Sequence, residues 1–282
     1  MKETEIKALI ALLEDPDQEV FQHVEQELIT SGPVIIPLLE ENWQASFDPL
    51  SQTRIENIIH KIQLEQVQNE LQLWAIQNQE DLLEGLLIVS RYQYPNLDEN
   101  AVQLQIAEIR RNAWFEMIYD MTPMEKVKLL NNIIFREFGL SGNTSNYHDP
   151  QNSFINKVLE TKKGNPISLA CIYSIIAQKL DIPIYGVNLP KHFIVAYLDD
   201  ENQAPLFYIN VFNRGQIMKH TDIYSFLKQL NLPIIDDYTQ PCSNIAIIKR
   251  VLRNLKTAYD NIGNMEKKSE VAHLLNLIDD MD

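Results

Sequence analysis

Residues 152–197 read NSFINKVLETKKGNPISLACIYSIIAQKLDIPIYGVNLPKHFIVAY, and the change of period inside them sets the fold. Asn165 suits a helix N-cap and Pro166 suits the first helical position. From there Ile167, Leu169, Ala170, Ile172, Ile175, Ile176, Ala177 and Leu180 leave no polar face. A helix apolar all round is a central, buried one. Beyond it the period falls to two. Residues 182–189 (IPIYGVNL), 192–198 (HFIVAYL) and 206–212 (LFYINVF) read as strands, separated by Pro190-Lys191 and by the polar run 199–205. A fourth short strand fits Gln216–Lys219, and Thr221 opens a helix to Leu230. Helices, one buried helix, then antiparallel strands make an α+β plan.

Upstream, the pattern is helical. Ile6, Leu9, Ile10 and Leu13 recur at helical spacing, Asp15-Pro16-Asp17 breaks the run, and Val20, Val24 and Leu28 mark the next helix. Residues 9–43, LIALLEDPDQEVFQHVEQELITSGPVIIPLLEENW, resemble a HEAT-repeat helix pair. One such unit is too few for an array, so residues 1–64 are expected to form a short HEAT-like helical cap. From Glu65 to Phe138 helical spacing continues, with Leu71, Trp74, Leu82, Leu86, Ile106, Ile109, Phe115 and Ile118 as candidate core positions. Thr122-Pro123-Met124-Glu125 has the form of a capping box. Residues 142–152 are a polar loop, and the chain closes with helical segments on either side of Gly263.

The totals narrow the function classes. The chain has 282 residues, of which 45% are hydrophobic, and a formal net charge of -15. A sizeable core is expected, and a polyanion repels both phosphate backbones and anionic lipid. Nucleic-acid and membrane partners are therefore not expected. Only Cys171 and Cys242 are present, in no CxxC pair, so neither a disulfide scaffold nor a thiolate zinc site is expected. The acids near the start do not fit a signal peptide, and no apolar stretch approaches a membrane span. The expected location is cytoplasmic. His148-Asp149 has no second ligand pair and reads as a loop turn, and Lys162-Lys163 as a solvated loop. No metal and no cofactor are expected.

A buried helix start followed by His192 and then Asn210 resembles, in order and spacing, the transglutaminase and papain-like core. In that core a cysteine sits at the start of the central helix, where the helix end lowers its pKa. A histidine takes its proton and an Asp or Asn orients the imidazole. The resemblance sharpens in residues 152–197: the Asn152-Ser153 pair, the helix start Gly164-Asn165-Pro166-Ile167-Ser168-Leu169 and Pro190-Lys191-His192-Phe193 closely resemble the SirB1 family. Residues 209–215, INVFNRG, resemble the family's strand that usually reads Asp-Pro-Phe followed by a Gly. Residues 252–278 resemble its closing TPR-like helix pair. The resemblance implies three parts: the cap 1–64, a transglutaminase-like core 65–235 and TPR-like helices 236–282.

The cysteine slot, between Pro166 and Ser168, holds no cysteine. Ser168, His192 and Asn210 form a degenerate triad. Serine gains little from a helix end. Asn in place of Asp lowers serine-triad turnover by about four orders of magnitude. Ser168 is also suited to back-bonding within the helix start, and Asn210 to tying a turn. Cys171, one turn on, shares the face of Ser168 but lies too deep for activation, and reads as an inert hydrophobe. The reading therefore favours a non-catalytic protein that binds a protein or peptide partner in the old groove, with Asn165, Cys171 and Asn152 as further binding residues. The alternative is an amide hydrolase or acyltransferase using Ser168 or Cys171 with His192 as base. The oligomeric state is left open.

Overall fold

The computed structural model describes residues 3–199, 201 and 203–281. The chain divides into two units, residues 1–70 and 71–282. In the first, α1 (Glu3–Ala11), α2 (Gln18–Thr30) and α3 (Ile36–Ala45) lead into α4 (Pro49–Gln77), which runs past the unit boundary. Asp17 caps α2 by accepting the N–H of Glu19 at 2.8 Å. The apolar residues noted at helical spacing converge: Ile6, Ile10, Leu13, Val24, Leu28, Ile35 and Leu39 bury against Ile55, Ile58 and Ile62. Arg54 is buried beside them. Its Nη1 donates to the carbonyls of Leu13 at 2.6 Å and Asp15 at 2.8 Å, and its guanidinium lies 4.1 Å from the centroid of the Phe21 ring. These bonds satisfy carbonyls at the break between α1 and α2, where the helix ladder has stopped.

The second unit is built around one helix. Helices α5 (Leu82–Gln93), α6 (Glu99–Glu116) and α7 (Pro123–Asn131) precede a π-helical turn, Asn132–Glu137. The two-residue strand β1 (Ser141–Gly142), helix α8 (Ile155–Thr161) and strand β2 (Lys163–Gly164) lead to α9 (Pro166–Gln178). Every residue of α9 from Pro166 to Ala177 is buried. Strands β3 (Ile184–Val187), β4 (Ile194–Leu198), β5 (Pro205–Asn210) and β6 (Gln216–Met218) follow. They form one antiparallel sheet in sequence order, with Val187 opposite Ile194 and Asn210 opposite Gln216. Helices α10 (His220–Gln229), α11 (Asp236–Thr239), α12 (Asn244–Asn261) and α13 (Met265–Leu277) close the chain.

Strand β4 is buried along its whole length, because both faces of the sheet are covered. Ile194, Ala196 and Leu198 pack with Ile223 and Leu227 of α10, which leaves Val195 and Tyr197 on the face that α9 covers. Helix α12 packs on α5 and α9 and pairs with α13. Polar ties fix it: Tyr259 donates to Gln93 Oε1 at 2.9 Å, and Tyr92 donates to Glu270 Oε2 at 2.8 Å. The α+β architecture is thus present, with the helix start 165–168 and the strand ends that carry the candidate site in one unit. Among the described residues no helix is long and apolar enough to cross a membrane.

Two local expectations change, and a third element keeps its end but not its ladder. Phe115 and Ile118 are exposed, not core. The buried stripe of α6 runs through Val102, Ile106, Ile109 and Ala113, and two residues beyond Ala113 the helix surface faces the other way. His192 precedes strand β4. Lys191 adopts a left-handed turn at φ 61° and the His192 N–H bonds back to Leu189 O at 3.0 Å, so extended pairing starts only at Ile194. Helix α7 loses its α-helical ladder at Asn132 and continues as the π-helical turn, ending at Gly139 with φ 74°.

Arg54→Met keeps the apolar stem but removes both charge-assisted bonds. It is expected to lower the unfolding free energy by about 2–3 kcal/mol. The check is a urea titration followed by circular dichroism. An unmoved midpoint would show that these bonds add nothing.

Candidate functional site

The N-terminus of a buried helix leaves N–H groups that water does not reach, so the chain must satisfy them itself. At α9 the partners are Asn165 and Ser168. The Ser168 N–H donates to Asn165 Oδ1 at 3.0 Å, and the Asn165 N–H donates to Ser168 Oγ at 3.0 Å. The hydroxyl closes the exchange by donating to Asn165 O at 3.1 Å. This is a reciprocal capping box with Ser at the third helical position, where Glu or Gln is usual. Asn165 Nδ2 goes on to donate to Ser153 Oγ at 2.9 Å. Asn152, Ser153, Asn165 and Ser168 are all buried. Gly164 is required beside them, since a Cβ there would lie 2.7 Å from Ser168 Oγ.

Asn152 serves the loop ahead of the helix. Its Nδ2 donates to the carbonyls of Asn146 at 2.8 Å and Tyr147 at 3.1 Å, and its Oδ1 accepts from Asn143 Nδ2 at 2.9 Å. Tyr147 is thereby held edge-on to Phe212, with centroids 5.9 Å apart. Phe212 in turn lies over Gly142, where a Cβ would meet its ring at 2.5 Å.

His192 and Asn210 meet. The Asn210 side chain acts on the imidazole, and its Oδ1 accepts the N–H of Asn213 at 3.1 Å. The His192 ring lies 6.3 Å from that of Phe226. Burial holds His192 below the ordinary imidazole range. The Asn210 side chain opposes the shift, and the nearby charge of Arg250 adds to it. No hydrogen bond joins His192 to Ser168 or Cys171 among the described residues. Cys171 is buried and unpaired by any disulfide, and burial pushes its thiol far above the ordinary range, with Cys242 adding to the effect. The structure therefore groups the six sequence-derived residues into a helix-cap set (Asn152, Asn165, Ser168), an imidazole pair (His192, Asn210) and a buried thiol.

A cavity of about 130 Å³ opens beside the cap set, lined by Tyr147, His148, Asp149, Ser153, Asn165, Asn254, Thr257 and Ala258. Its α12 wall was not visible in the sequence. A second missed group ties the strand end to the helices. Asn131 Nδ2 donates to Gly215 O at 3.0 Å, and the buried Tyr173 donates to Asn131 Oδ1 at 3.0 Å. The signal was there: a tyrosine inside an aliphatic helix needs a partner for its hydroxyl. Among the described residues no group of three or more His, Cys, Asp or Glu is placed to hold a metal ion.

Two outcomes follow from these environments. Folding favours the neutral imidazole of His192, so just below its ordinary value of 6.5 the unfolded chain binds more protons than the folded one. The contribution of His192 to stability is full above that pH and is lost as the pH falls through it toward the lower folded value. Unfolding free energy, measured by urea titration at several pH values, should fall more steeply below 6.5 in the wild type than in His192→Gln. Parallel curves would show that the ring is not held neutral. Cys171 should also resist iodoacetamide at about pH 8 until the protein unfolds, because the reactive thiolate is suppressed. Mass spectrometry finding native alkylation at Cys171 would contradict its placement.

The same assembly has relatives. Residues 100–253 match the model of the transglutaminase-like superfamily. A UPF0162 protein of Xylella fastidiosa is 32% identical over 201 residues, covering 68% of this chain and 69% of that protein. A UPF0162 protein of Vibrio cholerae is 26% identical, covering 63% of this chain and 66% of its own length. Human F-box only protein 21 is 22% identical over 78% of this chain but only 38% of its own length. No solved structure matches. With its central helix, its cap set and the His192–Asn210 pair inside or beside the matched span, the chain belongs to the transglutaminase-like superfamily, as one of its UPF0162 proteins.

Proposed function

We propose that the protein is a non-catalytic member of its superfamily, of the SirB1 type, that binds a protein or peptide in the groove around Asn165, Ser168, His192 and Asn210. The observation that carries this reading is the state of Ser168. Its hydroxyl donates to Asn165 O and accepts from Asn165 N, and it is buried. An attacking serine needs its proton in the hands of a base, and this one gives its proton to a carbonyl. Releasing it would break the cap of the helix at the centre of the unit. Cys171 has no access to solvent and no base. The polar donors of the groove suit peptide bonds, and a HEAT-like cap over residues 1–64 and a TPR-like pair over 236–282, flanking the core at 65–235, fit a scaffold in the bacterial cytoplasm. No cofactor enters this reading.

The test has a catalytic and a binding arm. The full chain is assayed on a panel of amide and ester substrates, with Ser168→Ala and His192→Ala checked for fold by circular dichroism. No Ser- or Cys-dependent turnover is expected. A clear wild-type turnover abolished in either folded variant would establish the hydrolase or acyltransferase reading instead. In the second arm a random peptide library displayed on phage is panned against the wild type. Enriched peptides should bind His192→Ala and Asn210→Ala about tenfold more weakly, the effect of losing one well-placed polar contact. Enriched peptides indifferent to both changes would place binding elsewhere.

A further inference from the structure

Arg250 stands out among the charges of the second unit. It lies on α12, one turn before Asn254 and two before Thr257, so all three occupy one helix face. Asn254 and Thr257 wall the cavity beside the cap set, and Arg250 therefore continues that wall. Its charge opposes protonation of His192, the like charge of Arg253 one turn on acts against it, and Tyr147 acts in its favour. Arg250 is half-buried, yet among the described residues it makes no ion pair and no hydrogen bond. Other arginines of the chain are partnered or exposed. Arg54 holds two carbonyls, Arg91 pairs with Glu84 and Glu99, Arg253 pairs with Asp279, and Arg111, Arg136 and Arg214 are exposed. In a chain of net charge -15, acids to pair with Arg250 were abundant.

A guanidinium drawn out of water without an anion is unfavourable, and a bound anion would repay that cost. The surroundings select its kind. Asp149 also lines the cavity, its carboxylate engaged by the Gln151 N–H at 2.9 Å and by Asn146 Nδ2 at 2.8 Å. That fixed negative charge disfavours a dianion such as phosphate more than a single carboxylate. The other lining groups, the Ser153 and Thr257 hydroxyls and the Asn165 and Asn254 amides, are neutral partners for peptide bonds. We infer that Arg250, beside the His192–Asn210 pair, is the seat for a carboxylate carried by the groove's peptide ligand. The fork of a guanidinium matches a carboxylate with two parallel bonds.

The inference rests on the groove being a binding site, and the experiment separates the two. The full chain, with ¹³C-labelled histidine, is titrated at constant ionic strength with four probes. N-acetylglycine carries a terminal carboxylate, and aspartate blocked at both ends carries a side-chain carboxylate. Blocked glycine carries none, and inorganic phosphate is the dianionic competitor. The readout is the His192 ring resonance, assigned with His192→Gln. One or both carboxylates should shift it saturably, and whichever does tells a chain terminus from an acidic side chain. Arg250→Gln should weaken the response about tenfold or more, and Arg250→Lys less than that. Blocked glycine should do nothing. The inference fails if neither carboxylate shifts the resonance, if Arg250→Gln responds like the wild type, or if phosphate alone saturates. Library peptides that need His192 yet bind Arg250→Gln undiminished would remove the carboxylate seat and leave the peptide reading standing. Carboxylates that bind through Arg250 while no library peptide does would support the seat and remove the peptide reading.

Discussion

The second unit depends on how the start of α9 is closed. That helix has no face toward water, so its first N–H groups must find partners inside the protein or leave the helix unstable. Asn165 and Ser168 close the start reciprocally. The same few ångströms are where the superfamily's resemblance places a nucleophile. The chain has put a structural serine there and given its hydroxyl two backbone partners. Stability of the central helix and nucleophilicity at its start thus compete for one oxygen, and here stability holds it.

The walls around that point follow from close backbone approach. Gly142 and Gly164 are paired in the short parallel bridge between β1 and β2. A side chain at either would collide, with the Phe212 ring at Gly142 and with Ser168 Oγ at Gly164. The bridge brings the 143–153 loop against the helix start, and Asn152 then fixes the loop by donating to two of its carbonyls. In the β5–β6 turn Gly215, at φ 73°, lets the backbone sit against Asn131. A Cβ on Gly215 would fall 1.9 Å from Asn131 Oδ1, which is the atom that Tyr173 holds from within α9. The site is therefore assembled by close backbone approach and neutral hydrogen bonds.

What was legible in the sequence was what local chemistry dictates. The all-apolar run after Pro166, the period-two segments beyond it and the Asn165 cap follow from spacing and from which residues satisfy orphan amides. The fate of Ser168 was legible for the same reason, because a short hydroxyl three residues after an N-cap is within reach of the cap's backbone. The rest is tertiary. Asn131 meets Gly215 across 84 residues, and no local rule links them. Arg250 sits in a helix whose sequence reads only as a closing pair, and its lack of a partner emerges only when α12 is laid along the cavity. His192 was misplaced by one turn's detail: Lys191 in a left-handed conformation delays the strand to Ile194.

Arg250 also bears on the choice between catalysis and binding, because one charge acts on both with opposite sign. A histidine that serves as general base must become imidazolium in the transition state, and catalysis requires surroundings that favour that cation. Burial and the charge of Arg250 both disfavour it here, and the neutral Asn210 returns only part of the loss. A carboxylate arriving in the groove meets the reverse situation. It gains from Arg250 directly, and by neutralising it relieves the pressure on His192. The arrangement that weakens the pair as acid–base machinery is the one that strengthens it as an anion seat. On the binding reading proposed above, the place of His192 matters for the carboxylate held beside it and not for a proton it could remove.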